Sequence, residues 1–293
     1  MKLQGMFVAA ATPFDHTGAI YRVKVQHNFD KWSRTSVAGF VVGSMAGEGP
    51  LLEPEEKLEL LRLAVPLVGE RTLIADVSAE GVHLAAKLAR ESAAAGAHAV
   101  VASVPHEYRN LMYGHEAQLL FFRALADQSP VPVLLRNYPQ MTGVDLLPET
   151  TARLAEHPNV AGVIETGTPV SRVEQLRSLT PKTFAVLAGS EGNVWDSLKA
   201  GANGAVLAFA SAAPYATIAI WEAFRTREEE AGLDWQARIA HPAMLVTDMY
   251  SVAGLKHAMD LNGYYGGVPR LPFTPVSADA KREIEDAFRD LRG

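Results

Sequence analysis

The stretch "VPVLLRNYP", residues 131–139, is apolar from Val131 to Leu135 and turns polar at Arg136, Asn137 and Tyr138 before a proline. A strand with one wet face alternates apolar and polar residues. A run without alternation is buried on both faces, as strands in parallel sheets are. The polar residues gather at one end, which therefore should open onto solvent or a ligand. Arg136 is the informative one. A guanidinium at the end of a buried strand is costly to leave unpaired, so it should meet a carboxylate of the chain or an anionic ligand. Glu165 and Glu107 are the acids expected near it, and an internal salt bridge and anion binding both stay open.

The same kind of run recurs along the chain: "GMFVAAATPF" (5–14), "VAGFVVGSMAGE" (37–48), "TLIADVS" (72–78), "AHAVVASVP" (97–105), "VAGVIETG" (160–167), "TFAVLAGSE" (183–191) and "GAVLAFAS" (204–211). Helical patterns follow most of them. "EPEEKLELLRLAVPLVGE" opens with acids and spaces its leucines for one helical face. "HLAAKLARESAAAGA" is alanine-rich, with Gly96 as its stop. "LLPETTARLAEHP" and "TPVSRVEQLRSLTP" end at prolines. Eight strand–helix units in series make an α/β fold, a (β/α)8 TIM barrel over residues 1–226. Residues 227–293 read as a C-terminal helical extension packed on that barrel. "YYGGVPRLPFTP" (264–275) is a loop within it, and no flexible linker marks a second domain.

A barrel of this kind carries its site where the strands end. The polar residues there are Thr12, Ser44, Glu48, Asp76, Ser78, His106, Glu107, Tyr108, Arg136, Asn137, Tyr138, Glu165, Thr166, Ser190, Glu191 and Ser211, with Met45 among them. Each has a structural alternative. Glu48 in "AGEGP" can cap backbone amides at a turn, Asn137 can be a structural hydrogen-bonder, and His106 a solvated loop residue.

Composition removes several classes of function. The formal net charge is −6, which argues against nucleic-acid and anionic-membrane partners. The absence of cysteine excludes disulfides, thiolate catalysis and thiolate metal sites and fits a cytoplasmic protein. No run approaches the roughly 20 apolar residues that span a bilayer, and Pro13 makes the apolar N-terminal segment a first strand rather than a leader. "GSMAGEGP" and "GSEGN" lack a phosphate-loop lysine. No histidine pair has metal-ligand spacing, and there is no G-x-S-x-G elbow. No cofactor and no metal are expected.

Read together, "AAATPFDHTGAI", "VAGFVVGSMAGEGPLLEPEEKLELL", "NYPQMTGVDL", "NVAGVIETG", "GANGAVLAFASAAP" and "GLKHAMDLNGYYGGVPRLPFTP" resemble, in order and spacing, the dihydrodipicolinate synthase/N-acetylneuraminate lyase family of class I aldolases. The resemblance implies a lysine on the sixth strand that forms a Schiff base with a 2-oxo acid. Ile164 stands at that place and carries no nucleophile. The family's strand-five tyrosine corresponds to Arg136, its threonine pair after strand two to Met45 and Ala46, its tyrosine after strand four to Glu107, and an entrance arginine to Met141. The resemblance also implies a homo-oligomer, a tetramer or a dimer. The nine lysines are Lys2, Lys24, Lys31, Lys57, Lys87, Lys182, Lys199, Lys256 and Lys281. None is expected at the carboxyl end of a strand.

Three functions follow. In the first, the chain is a lyase or hydratase acting on a small anionic oxo or hydroxy acid without a Schiff base. Arg136, Glu165 and Glu107 are then its catalytic candidates, with Ser44, Met45, Ala46, Tyr138, Ser190 and Ser211 around the substrate. In the second, it is a non-catalytic anion-binding sensor or regulatory partner. In the third, it is a residual pyruvate-type aldolase using another lysine.

Overall fold

The computed structural model describes residues 1–291; Arg292 and Gly293, the end of the expected extension, lie outside them. Eight parallel strands close into a barrel in chain order. They are β1 Gly5–Ala9, β2 Gly39–Val42, β3 Thr72–Asp76, β4 Ala99–Ser103, β5 Val133–Asn137, β6 Val160–Glu165, β7 Ala185–Ala188 and β8 Gly204–Leu207. Every apolar run became a strand because both of its faces find a core. Phe7, Val41, Ile74, Val101, Leu134, Ile164, Leu187 and Val206 fill the barrel axis. Val8, Phe40, Leu73, Val100, Leu135, Val163 and Val186 face the helices outside. The side-chain period of two thus assigns each strand residue to the axis or to the helix layer.

The first long helix after β2, Pro54–Val68, begins with a capping box: the Glu53 side chain accepts the Glu56 amide, and the Glu56 side chain accepts the Glu53 amide at 2.9 Å. Its first turn lies on the mouth side of the barrel, as the start of any helix following a strand of such a barrel must.

The C-terminal helices are Glu229–Met244, Ser251–Leu261 and Ala278–Ala287. The first two read as one helical stretch in the sequence, but a π-helical turn, Leu245–Met249, divides them. Pro242 lies just before that turn and offers no amide to the regular ladder.

A buried charge cluster fastens this extension to the barrel. Lys256 is 1% exposed; its Nζ sits 2.6 Å from Glu48 Oε1 and donates to the Val268 carbonyl at 2.9 Å. Glu48 Oε2 accepts the Arg270 amide at 2.7 Å, and the Arg270 guanidinium pairs with Glu56 at 2.6 Å. The Phe14 ring lies between Lys256 and Arg270, at 4.4 and 4.2 Å, within cation–π range. Glu48 itself has a left-handed backbone, φ 57°. Its neighbours must be glycine: a Cβ on Gly47 would lie 2.6 Å from the Ala10 carbonyl oxygen, and one on Gly49 1.8 Å from that of Gly43. Glu48 therefore does cap an amide at a turn, one supplied by the distant C-terminal segment.

Candidate active site

At the carboxyl end of the barrel the axial positions continue one layer above the apolar plug. Asp76 follows Ile74 on its face of β3, Ser103 follows Val101 on β4, and Arg136 follows Leu134 on β5. Register pairs Ser103 with Arg136 and Arg136 with Ile164. Three of these residues join. Arg136 Nη1 lies 2.5 Å from Asp76 Oδ2, with side-chain exposures of 11% and 2%. Its Nε donates to Ser103 Oγ at 2.7 Å and its Nη2 to Ser78 Oγ at 3.3 Å. Asp76 Oδ1 in turn accepts the Ser78 amide at 2.9 Å. The acid expected beside Arg136 is present, but it is Asp76, not Glu165 or Glu107. A guanidinium has five N–H donors, so N–H groups remain for a ligand after these contacts.

Ile164 is 3% exposed and belongs to the axial plug. Its methyl Cγ2 would lie 3.1 Å from a Cβ built on Gly189 of the neighbouring strand end. None of the nine lysines falls within a strand.

A cavity of about 310 Å3 opens beside Arg136, at the small end of the ~300–1,000 Å3 range of small-molecule sites. It spans the ends of β2 to β5, and Asp76, Ser78, Ser103, Arg136, Tyr138 and Glu107 line it, as do Met45, Met141 and Lys57. Glu107 is exposed on the loop after β4. That loop is held from β3: Glu80 Oε2 accepts the His106 and Glu107 amides, both at 2.9 Å, and Glu80 Oε1 lies 3.5 Å from His106 Nδ1. Burial pushes the Tyr138 phenol above its ordinary value. The charges of Glu191 and Asp248 add to this and Arg136 opposes it. Tyr138 therefore stays protonated and can donate.

Glu165 is elsewhere. It follows Ile164 by one residue and so faces the helix layer, where it is 3% exposed and does not line the cavity. Its Oε1 accepts from Asn137 Nδ2 at 2.5 Å and lies 3.2 Å from Arg172 Nε. Arg172 is already engaged by Asp145 through two bonds of 2.9 and 2.8 Å. Asn137 also donates to Asp145 at 3.0 Å and accepts the Leu146 amide at 3.0 Å. One arginine thus serves two carboxylates. Burial pushes the Glu165 carboxyl up to about 7, against the pull of Arg172 and of hydrogen bonds from Asn137 and Thr168. Glu165 thus holds the side chain of Asn137, the neighbour of Arg136.

The remaining expected site residues divide in the same way. Met45 and Tyr138 line the cavity; Ser44, Ala46, Ser190 and Ser211 do not. Ser44 is buried, and its carbonyl accepts the Gly47 and Gly49 amides at 3.0 and 2.8 Å. Ser211 Oγ donates to the Ala9 carbonyl at 2.8 Å and accepts the Ala11 amide at 3.3 Å, tying the end of β1 to the turn after β8. Sequence reasoning missed Ser103 and Lys57. It placed Asp76 at the mouth without pairing it to Arg136. Lys256, in the extension, is buried against Glu48 and outside the cavity, and burial lowers its pKa.

Residues 2–291 match the family model described as the dihydrodipicolinate synthetase family. The chain belongs to that family. A 4-hydroxy-tetrahydrodipicolinate synthase of Xanthomonas campestris is 32% identical, the match covering 95% of this chain and 91% of that protein. One from an Exiguobacterium species is 29% identical over 98% of this chain and 97% of that protein. Among solved structures, a dihydrodipicolinate synthase of Bacillus anthracis superposes with a TM-score of 0.94 at 24% identity, covering 99% of this chain and 98% of that one. The fold is thus the family's over nearly the whole chain, and a lyase-like family protein is the functional frame. No described helix is long and apolar enough to cross a membrane.

Proposed function

We propose that this family member is a lyase or hydratase that acts on a small anionic oxo or hydroxy acid at the mouth cavity, without a Schiff base on strand six. The observation that carries the proposal is Arg136. It reaches the cavity from the end of β5, its charge is balanced by Asp76, and it keeps N–H groups to offer. A guanidinium held this way is oriented before the ligand arrives, which favours bidentate capture of a carboxylate. With Arg136 on the carboxylate, the carbon next to the keto or hydroxyl group lies within the same small cavity as Glu107 and Tyr138. Glu107 accepts a proton from that carbon. Tyr138 donates one to the departing or developing oxygen. Glu165 is no longer among the acid–base candidates, because its carboxyl faces the helix layer.

Proton NMR in heavy water tests this reading. Pyruvate and longer 2-oxo acids should lose the protons beside the keto group well above the buffer rate when the protein is present. Buffer-rate exchange with every acid tried would remove enolising chemistry and leave the cavity at most an anion-binding site.

A further inference from the structure

We propose that the ligand of this cavity is a dianion, a linear oxo or hydroxy acid with a second carboxylate, and that Lys57 binds that second group. The inference rests on the cavity reading above and adds the class of substrate. Its basis is a single unpaired cation in the lining. Arg136 is paired with Asp76 at 2.5 Å. Glu80 holds the His106 and Glu107 amides and faces the His106 ring. Lys57 is the other fixed cation lining the cavity. Among the described residues its ammonium has no ion-pair or hydrogen-bond partner, although its side chain is only partly exposed.

The placement of Lys57 is built in. It lies in the first turn of the helix Pro54–Val68, on the mouth side of the barrel. Its stem runs along the end of β2, where a Cβ on Gly43 would come within 3.5 Å of Lys57 Cγ. Gly43 has a φ of +72°, so a glycine is favoured there and leaves the stem its path. Fixing the stem lowers the entropy lost when the ammonium engages a ligand.

Lys57 enters the lining from the helix after β2 and Arg136 from the end of β5, three strands on in the closed sheet. A ligand that engages both carries an anionic group at each end.

Calorimetric titration at one ionic strength tests this with pyruvate as monoanion and 2-oxoglutarate as dianion, on wild type and Lys57→Met, which keeps the stem and removes the charge. Succinate, glutarate and adipate extend the series by length. The expected result is at least tenfold tighter binding of 2-oxoglutarate than of pyruvate, with an optimum chain length among the diacids. Lys57→Met should bring the dianion to the monoanion level and leave pyruvate unchanged. Lys57→Arg should keep most of the preference. An unchanged dianion-to-monoanion ratio in Lys57→Met overturns the role of Lys57 while leaving anion capture by Arg136 standing. Absence of binding by acids of either charge overturns both.

Discussion

Replacing Arg136 with Leu is expected to destabilise the protein by about 3–5 kcal/mol, far more than its lost packing would cost. The reason is Asp76. Its carboxylate is 2% exposed, and without the guanidinium it becomes a buried charge with no counterion, the situation in which breaking one half of an ion pair is most costly. The double variant Asp76→Asn/Arg136→Leu removes the stranded charge and keeps an acceptor for the Ser78 amide. It should recover most of the loss, because neutral replacement of a buried pair is often close to free. Chemical denaturation of the two variants and wild type checks this. Equal destabilisation by the single and double variants would mean that Asp76 does not depend on Arg136. The double variant is also the right tool for function, since it deletes the anion anchor from a protein that still folds.

The second large effect concerns Glu165 and pH. Burial raises its folded-state pKa to about 7 from the ordinary 4.5. The direction is the reverse of the usual carboxylate case. Between about pH 4.5 and 7 the folded chain holds a proton that the unfolded chain has released, so stability falls as pH rises through that window and levels off above it. At about 1.4 kcal/mol per pH unit, the cost at pH 8 is about 3 kcal/mol. Glu165→Gln keeps the acceptor for Asn137 and carries no charge. It should match wild type near pH 4.5, exceed it by up to about 3 kcal/mol at pH 8, and flatten the slope between. A wild-type stability that rises from pH 5 to 7, with no difference from the variant, would show that Arg172 keeps Glu165 ionised.

How much of this the sequence disclosed follows from what each signal measures. Two-sided burial leaves a mark in the residues themselves, so all eight strands were legible as apolar runs, with "VLLRN" and "VAGVIE" the clearest. That Arg136 needed an acid was equally legible, since desolvation cost belongs to the residue type. Which acid it met was not, because that depends on the face each residue takes and on the stagger between strands. Side-chain parity holds part of the answer: Arg136 shares a face with Leu134, whereas Glu165 shares one with Val163 and so turns to the helices. Asp76, two residues past Ile164's axial counterpart Ile74, stands on the correct face. Lys57 escaped because the search for mouth residues stopped at strand ends. The first turn of each following helix lies at the same end of the barrel, so a lysine there is as much a mouth residue as one on a strand. The Lys256–Glu48 pair joins segments far apart in the chain, and only the packed extension brings them together.

The most direct test of chemistry without a strand-six amine is intact-mass measurement after borohydride treatment in the presence of pyruvate and, separately, 2-oxoglutarate. The Ile164 side chain offers no nitrogen, so the mass of the chain should stay unchanged with both acids. A stable increment equal to one reduced adduct, mapped to a single lysine such as Lys57 or Lys256, would contradict it and return this protein to imine chemistry from a relocated amine.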